Sequence, residues 1–221
     1  MKVKDICPLS FSVDRQKGTF SIEPSSSYYP SLSDVQIGIS GWYRNNPFSM
    51  PLFLDESSAQ KRNEKFNVFS RRGQITFCPL SSIEGLEIKV LFSVLEGSSA
   101  IAWKVKLMNE GLRSIWIDQI ELIRKNEPTN SSCLRFNEPH SEIGFFVNGW
   151  QSWSFCGATS RQHPPMRSHL GFLQKPMIVD AGMEKKRSFC AISDMFGVLM
   201  DTERQKGFLL GFLSQKEQFG H

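Results

Sequence analysis

Two indoles stand three positions apart in the stretch FFVNGWQSWSFCG, residues 145 to 157, with an amide and small hydroxyls around them. Trp150, Gln151, Ser152, Trp153 and Ser154 are the residue types of a sugar platform. An aromatic face stacks on the apolar C–H face of a pyranose, and neighbouring amide and hydroxyl groups bond its oxygens. The same residues also fit plain packing, with one tryptophan in a core and the other beneath the following loop, each indole N–H hydrogen-bonded. Composition alone favours packing. The Asn148-Gly149 pair between strand-like runs predicts a hairpin turn. If residues 150 to 155 form its second strand, Trp150, Ser152 and Ser154 face one way and Gln151, Trp153 and Phe155 the other. A sandwich strand is covered by the opposing sheet on one face only, so one of the two indoles belongs on an outer face, at an edge or beneath another domain.

Other chemistry is weakly represented. Hydrolysis of glycosides usually needs two facing carboxylates roughly 5 to 10 Å apart, and Asp118 and Glu121 fall on opposite faces of one predicted strand. Asp201, with Gly207, reads as the turn of a hairpin. Asp194, in SDMFG, stands at a strand end, where a carboxylate either caps a turn or faces a cleft. His140, His163, His169 and His221 have no metal-ligand spacing, so neither a metal nor a cofactor is expected. No serine lies in a GxSxG elbow and no Gly-rich phosphate loop is present.

These residues must be positioned by strands. Short runs rich in Val, Ile, Phe and Trp alternate with Gly, Asn, Pro and Ser clusters. They predict strands at 9–14, 19–23, 35–41, 74–78, 86–95, 101–109, 115–124, 143–147, 150–155, 187–193, 196–201 and 207–214. Ile101, Trp103, Val105 and Leu107 alternate with smaller or charged residues, and after the turn-like NEGLR the run SIWIDQIELIRK reads as the hairpin partner. Only SSAQKRNEKF, residues 57 to 66, has a helix-like start, with a poor apolar stripe that fits a solvated loop equally well. Residues 42 to 73, 125 to 141 and 158 to 177 read as excursions. The expectation is an all-β, large two-sheet antiparallel β-sandwich with few or no helices, forming a single domain over 1–221. No long crossover helices recur, so a (β/α)₈ barrel cannot be built from these residues.

The bulk composition narrows the partners. Basic residues number 26 and acidic ones 22, scattered rather than gathered on one face, so no nucleic acid partner is expected. Five cysteines with no short CxxC spacing fit neither a zinc knuckle nor a disulfide scaffold, and with no signal-like or spanning apolar run they point to a reduced cytoplasm and no membrane.

VNGWQSWSFCGA, followed in order by HLGFLQKPM, SDMFGVLMD and GFLLGFLSQKEQFG, resembles the N-terminal β-supersandwich domain of glycoside hydrolase family 36, the melibiase-like α-galactosidases. The likeness runs from about residue 100 to the end, and WQSW with GFLSQ is its most specific part. The resemblance implies a sandwich preceding a (β/α)₈ barrel that carries an aspartate nucleophile and an aspartate acid/base for retaining hydrolysis of terminal α-galactosides. It also implies a sandwich tryptophan lining the galactose pocket, by motif position Trp153, with Gln151, Trp150 and Asp194 as further substrate-binding candidates. No catalytic residue is assigned within this chain, which stops before any barrel and is expected to be inactive alone. The implied partners are α-galactoside sugars, the downstream barrel and further subunits of a homo-oligomer. A galactose-transferring relative, and a stand-alone non-catalytic carbohydrate-binding or oligomerisation module, are the alternatives.

Overall fold

The computed structural model describes residues 8–55, 59–65, 71–95, 99–125, 133–136, 142–148, 156–160 and 196–212. The chain divides into two compact units, Met1–Asn137 and Glu138–His221. Every regular element among the described residues is a strand, and no helix there is long and apolar enough to cross a membrane.

The first unit is a two-sheet antiparallel sandwich. One sheet has six strands: β1 (Leu9–Asp14), β2 (Thr19–Pro24), β3 (Ser31–Tyr43), β4 (Asn46–Leu52), β9 (Ile115–Lys125) and the short β10 (Leu134–Arg135). The long β3 organises it, pairing with β2, β4, β9 and β10. The other sheet runs β5 (Gln60–Lys65), β6 (Arg71–Phe77), β7 (Leu86–Leu95), β8 (Ile101–Asn109) in spatial order. Alternation drives their packing: Leu86, Ile88, Val90 and Phe92 of β7 are buried while the residues between them are half-exposed. Facing them, Phe20, Val35, Ile37 and Ile39 of the six-stranded sheet are fully buried. Phe92 joins the layers, its ring 4.4 Å from Phe11 and 5.1 Å from Phe20 across the gap, and 6.0 Å from Phe77 within its own sheet.

Two expectations from sequence are corrected here. The runs 101–109 and 115–125 are not a hairpin, because β8 pairs with β7 whereas β9 pairs with β3 in the other sheet. The segment between them is an arch that changes layers. Asn109 holds it, its amide donating to the Arg113 carbonyl at 2.8 Å while its side-chain oxygen accepts the Gly111 N–H at 3.0 Å. The Glu110 N–H adds a bond of 2.8 Å to the Gly85 carbonyl. Residues 42 to 73 are likewise no excursion: they contain β4 and β5, and the helix-or-loop candidate at 57–66 contains strand β5 instead.

The second unit contains a four-stranded antiparallel sheet in the order β12 (Gly157–Ser160), β11 (Ile143–Val147), β13 (Phe196–Asp201), β14 (Lys206–Gly211). The β13–β14 connection has the same design as the β1–β2 connection in the first unit. Asp201 accepts the N–H groups of Glu203 and Arg204, at 3.0 and 3.1 Å, as Asp14 accepts those of Gln16 and Lys17, at 2.9 and 3.2 Å. Each connection ends on a left-handed residue: Gly18 at φ 64° in one, Gln205 at φ 55° in the other. A side chain is strained in that region, so Gln205→Gly should raise stability by roughly 0.5 to 1 kcal/mol. Thermal unfolding of Gln205→Gly beside Gln205→Val checks this, and a gain from valine would count against it.

Candidate functional site

An open cleft of about 490 Å³ lies in the first unit, lined by Trp42, Arg44, Asn45, Arg113, Ser114, Ile115 and Trp116. Its walls follow from the two chain reversals just described. On one side β3 turns into β4 through Arg44 and Asn45, both left-handed with φ of 54° and 63°, the pair that a two-residue hairpin of the primed type requires. On the other side the arch delivers Arg113 and Ser114 to the start of β9. The two meet where Trp42 of β3 lies directly opposite Trp116 of β9.

Both indoles point away from the sandwich interior. Ile37, Ile39 and Gly41 of β3 are buried and Ile115 and Ile117 of β9 are half-buried, so Trp42 and Trp116, one step out of phase, take the outer face. They are 49% and 70% exposed, a large apolar area to leave in water. Pro47 of β4 is the next residue in the same row, opposite Trp42. Beyond it the face turns polar: Ser49, Ser40 and Gln119 form the following row. There the Arg124 guanidinium donates to Ser49 and to Glu121 at 3.3 and 3.2 Å.

The electrostatics of the cleft are one-sided. Two arginines and an amide line it, with no carboxylate among the lining residues. Arg44 is held: its guanidinium pairs with Glu84 and lies 5.0 Å over the Tyr43 ring, while the Tyr43 hydroxyl donates to the same Glu84 at 3.1 Å. Arg113 is exposed, and among the described residues its guanidinium has no partner. The cleft is therefore an aromatic floor bordered by donors.

The candidates read from the sequence are differently placed. Trp150, Gln151, Trp153 and Asp194 lie outside the described residues, as do the four histidines. The residues that flank the tryptophan segment are described. β11 pairs on one edge with β12, Val147 opposite Gly157 and Phe146 opposite Ala158, and on the other with β13. Residues 150 to 155, predicted as its partner, lie outside the described residues, as does Gly149. The Cys156 thiol donates to the Asn148 side-chain oxygen at 3.8 Å. The buried Thr159 hydroxyl, donating to the Phe145 carbonyl at 3.1 Å, fastens the β11–β12 pairing.

Two of the carboxylates considered from sequence are occupied structurally. Glu121 pairs with Arg124, and Asp201, 2% exposed, organises its turn and sits 3.6 Å from Arg204. Lys206, opposite Asp201 in the hairpin, is buried, and that desolvation pushes its ammonium below the ordinary lysine value. Among the described residues no three His, Cys, Asp or Glu side chains gather to hold a metal, and Cys78, Cys133 and Cys156 are free thiols. The Trp42–Trp116 cleft was not found from sequence, although the inward parity of Ile115 and Ile117 already sends Trp116 outward. No family model, no curated protein and no solved structure matches the chain.

Proposed function

We propose that this chain is the N-terminal sandwich portion of an α-galactosidase-like glycoside hydrolase, in which Trp153 forms a wall of the galactose pocket. The observation that carries the reading is where the resembling motifs fall. VNGWQSW begins at the end of β11, SDMFGVLMD runs into β13, and GFLLGFL runs along β14, three strands of one four-stranded sheet. Sequence features that resemble one family in order along the chain thus flank or form strands of one sheet.

In this reading the chain contributes binding surface and the chemistry comes from two aspartates of a downstream barrel. Trp153 stacks on the apolar face of the galactose ring, and Gln151 bonds its hydroxyls. Stacking that holds the ring in the reactive position counts in kcat/KM, so Trp153→Ala in the complete enzyme should lower that quantity roughly tenfold or more while its melting temperature stays in place. Trp150→Ala should chiefly lower the melting temperature. Equal loss of folding in both variants would end this division of roles.

The direct test adds a separately produced downstream barrel to the chain and measures hydrolysis of an α-galactoside. Restored activity supports the proposal. Tight binding of galactose or raffinose by the chain alone, with no activity on adding the barrel, would replace it with a stand-alone carbohydrate-binding module.

A further inference from the structure

We infer that the Trp42–Trp116 cleft is a binding site for an anionic pyranoside, a sugar ring bearing a carboxylate or sulfate group. The inference uses residues of the first unit only and stands whether or not the tryptophan segment at 148–156 binds galactose.

Three observations converge on this ligand. First, two indoles on neighbouring antiparallel strands, 49% and 70% exposed, make a floor for a flat apolar ring face. Their outward direction is fixed by the buried partners on either side of them, so this exposure is built into the strand register. Second, the cleft volume of about 490 Å³ lies within the roughly 300–1,000 Å³ range of small-ligand sites. Third, donors outnumber acceptors among its polar side chains. Arg113 alone presents five N–H groups, Asn45 and Ser114 each both donate and accept, and no carboxylate lines the cleft.

The third observation selects the charge. The hydroxyls of a neutral sugar are donors as well as acceptors and need acceptors around them. A carboxylate or sulfate is acceptor-only and suits a guanidinium, which a carboxylate can engage through two parallel bonds. Arg44 is neutralised by Glu84 and braced against Tyr43, so it shapes the wall, whereas Arg113, with no partner among the described residues, is the lining cation that pairs with the ligand. The roles are then separable: Trp42 and Trp116 bind the ring, and Arg113 reads its charge.

Titration calorimetry of the full 221-residue chain with trigalacturonate, a sulfated galactobiose and neutral galactotriose tests this. Expected is binding of at least one anionic probe, with galactotriose weaker by roughly tenfold or more. The two anionic arms tell carboxylate from sulfate. Trp116→Ala and Trp42→Ala should each weaken binding roughly tenfold. Arg113→Gln should abolish the preference for the anionic probes while the neutral one binds as before. All three positions are exposed, so an unchanged melting temperature accompanies each expected loss. The inference is overturned if neither anionic probe binds, if galactotriose binds as tightly, or if the variants bind like the parent. Equally tight binding of a poly-glutamate peptide would also overturn it, since the cleft would then recognise acidic chains rather than a sugar ring.

Discussion

Phe92→Ala should destabilise the first unit by about 3 to 5 kcal/mol, the cost of emptying a large aromatic site in a packed core. Phe92 is 1% exposed and touches aromatic rings from both layers: Phe11 and Phe20 on one side, Phe77 and Trp103 on the other. No one neighbour can swing in to fill the space, because each ring is fixed on its own strand. Urea unfolding should show a lower midpoint with little change in slope. Leu112→Ala is the control. Leu112 is fully exposed on the arch, and its loss should stay within about 0.5 kcal/mol. A Phe92→Ala variant as stable as Leu112→Ala would mean that the two sheets are not joined through this ring.

What could be read from sequence divides along the range of the interactions concerned. Strand β7 was legible end to end, because burial of Leu86, Ile88, Val90 and Phe92 imposes a period of two that needs no knowledge of partners. The antiparallel all-β sandwich follows from many such runs. Choice of partner is a different matter. The NEGLR segment looks like a hairpin turn, yet Asn109 uses its side chain to hold an arch that sends β9 to the other sheet, and nothing local distinguishes the two outcomes. The pairing of β11 with β13, some fifty residues further along the chain, is likewise beyond any local signal.

Strand β5 was illegible for a second reason. Its sequence QKRNEK carries no apolar period, and it lies at the outer edge of its sheet, where charged residues discourage pairing with another chain. The cleft combined these difficulties. Trp116 was read on a strand with the wrong partner, and Trp42 at the border of a supposed excursion, so their meeting across β3 and β9 could not be foreseen. The outward direction of Trp116 was nonetheless written in Ile115 and Ile117 beside it.

The register that brings those indoles together depends on Gly41, and Gly41→Ala should cost about 3 kcal/mol or more. The β3–β9 pairing shifts register between Ser40 and Gly41, and the strands close tightly there. A Cβ on Gly41 would drive into the Trp116 carbonyl oxygen and stand 3.0 Å from that carbonyl carbon and 3.1 Å from the Ile117 Cα. These are backbone atoms held in the sheet, so no flexible side chain can give way; the strands themselves must part. The strain falls beside the Trp42–Trp116 pair, and the variant should therefore also shift tryptophan fluorescence, a shift that disappears when both residues are first changed to phenylalanine. Gly111→Ala supplies the contrast, since a Cβ there meets nothing closer than 3.3 Å. If Gly41→Ala proved no more costly than Gly111→Ala, the β3–β9 closure would not be what fixes the floor of the cleft, and the two indoles would have to be held by something else.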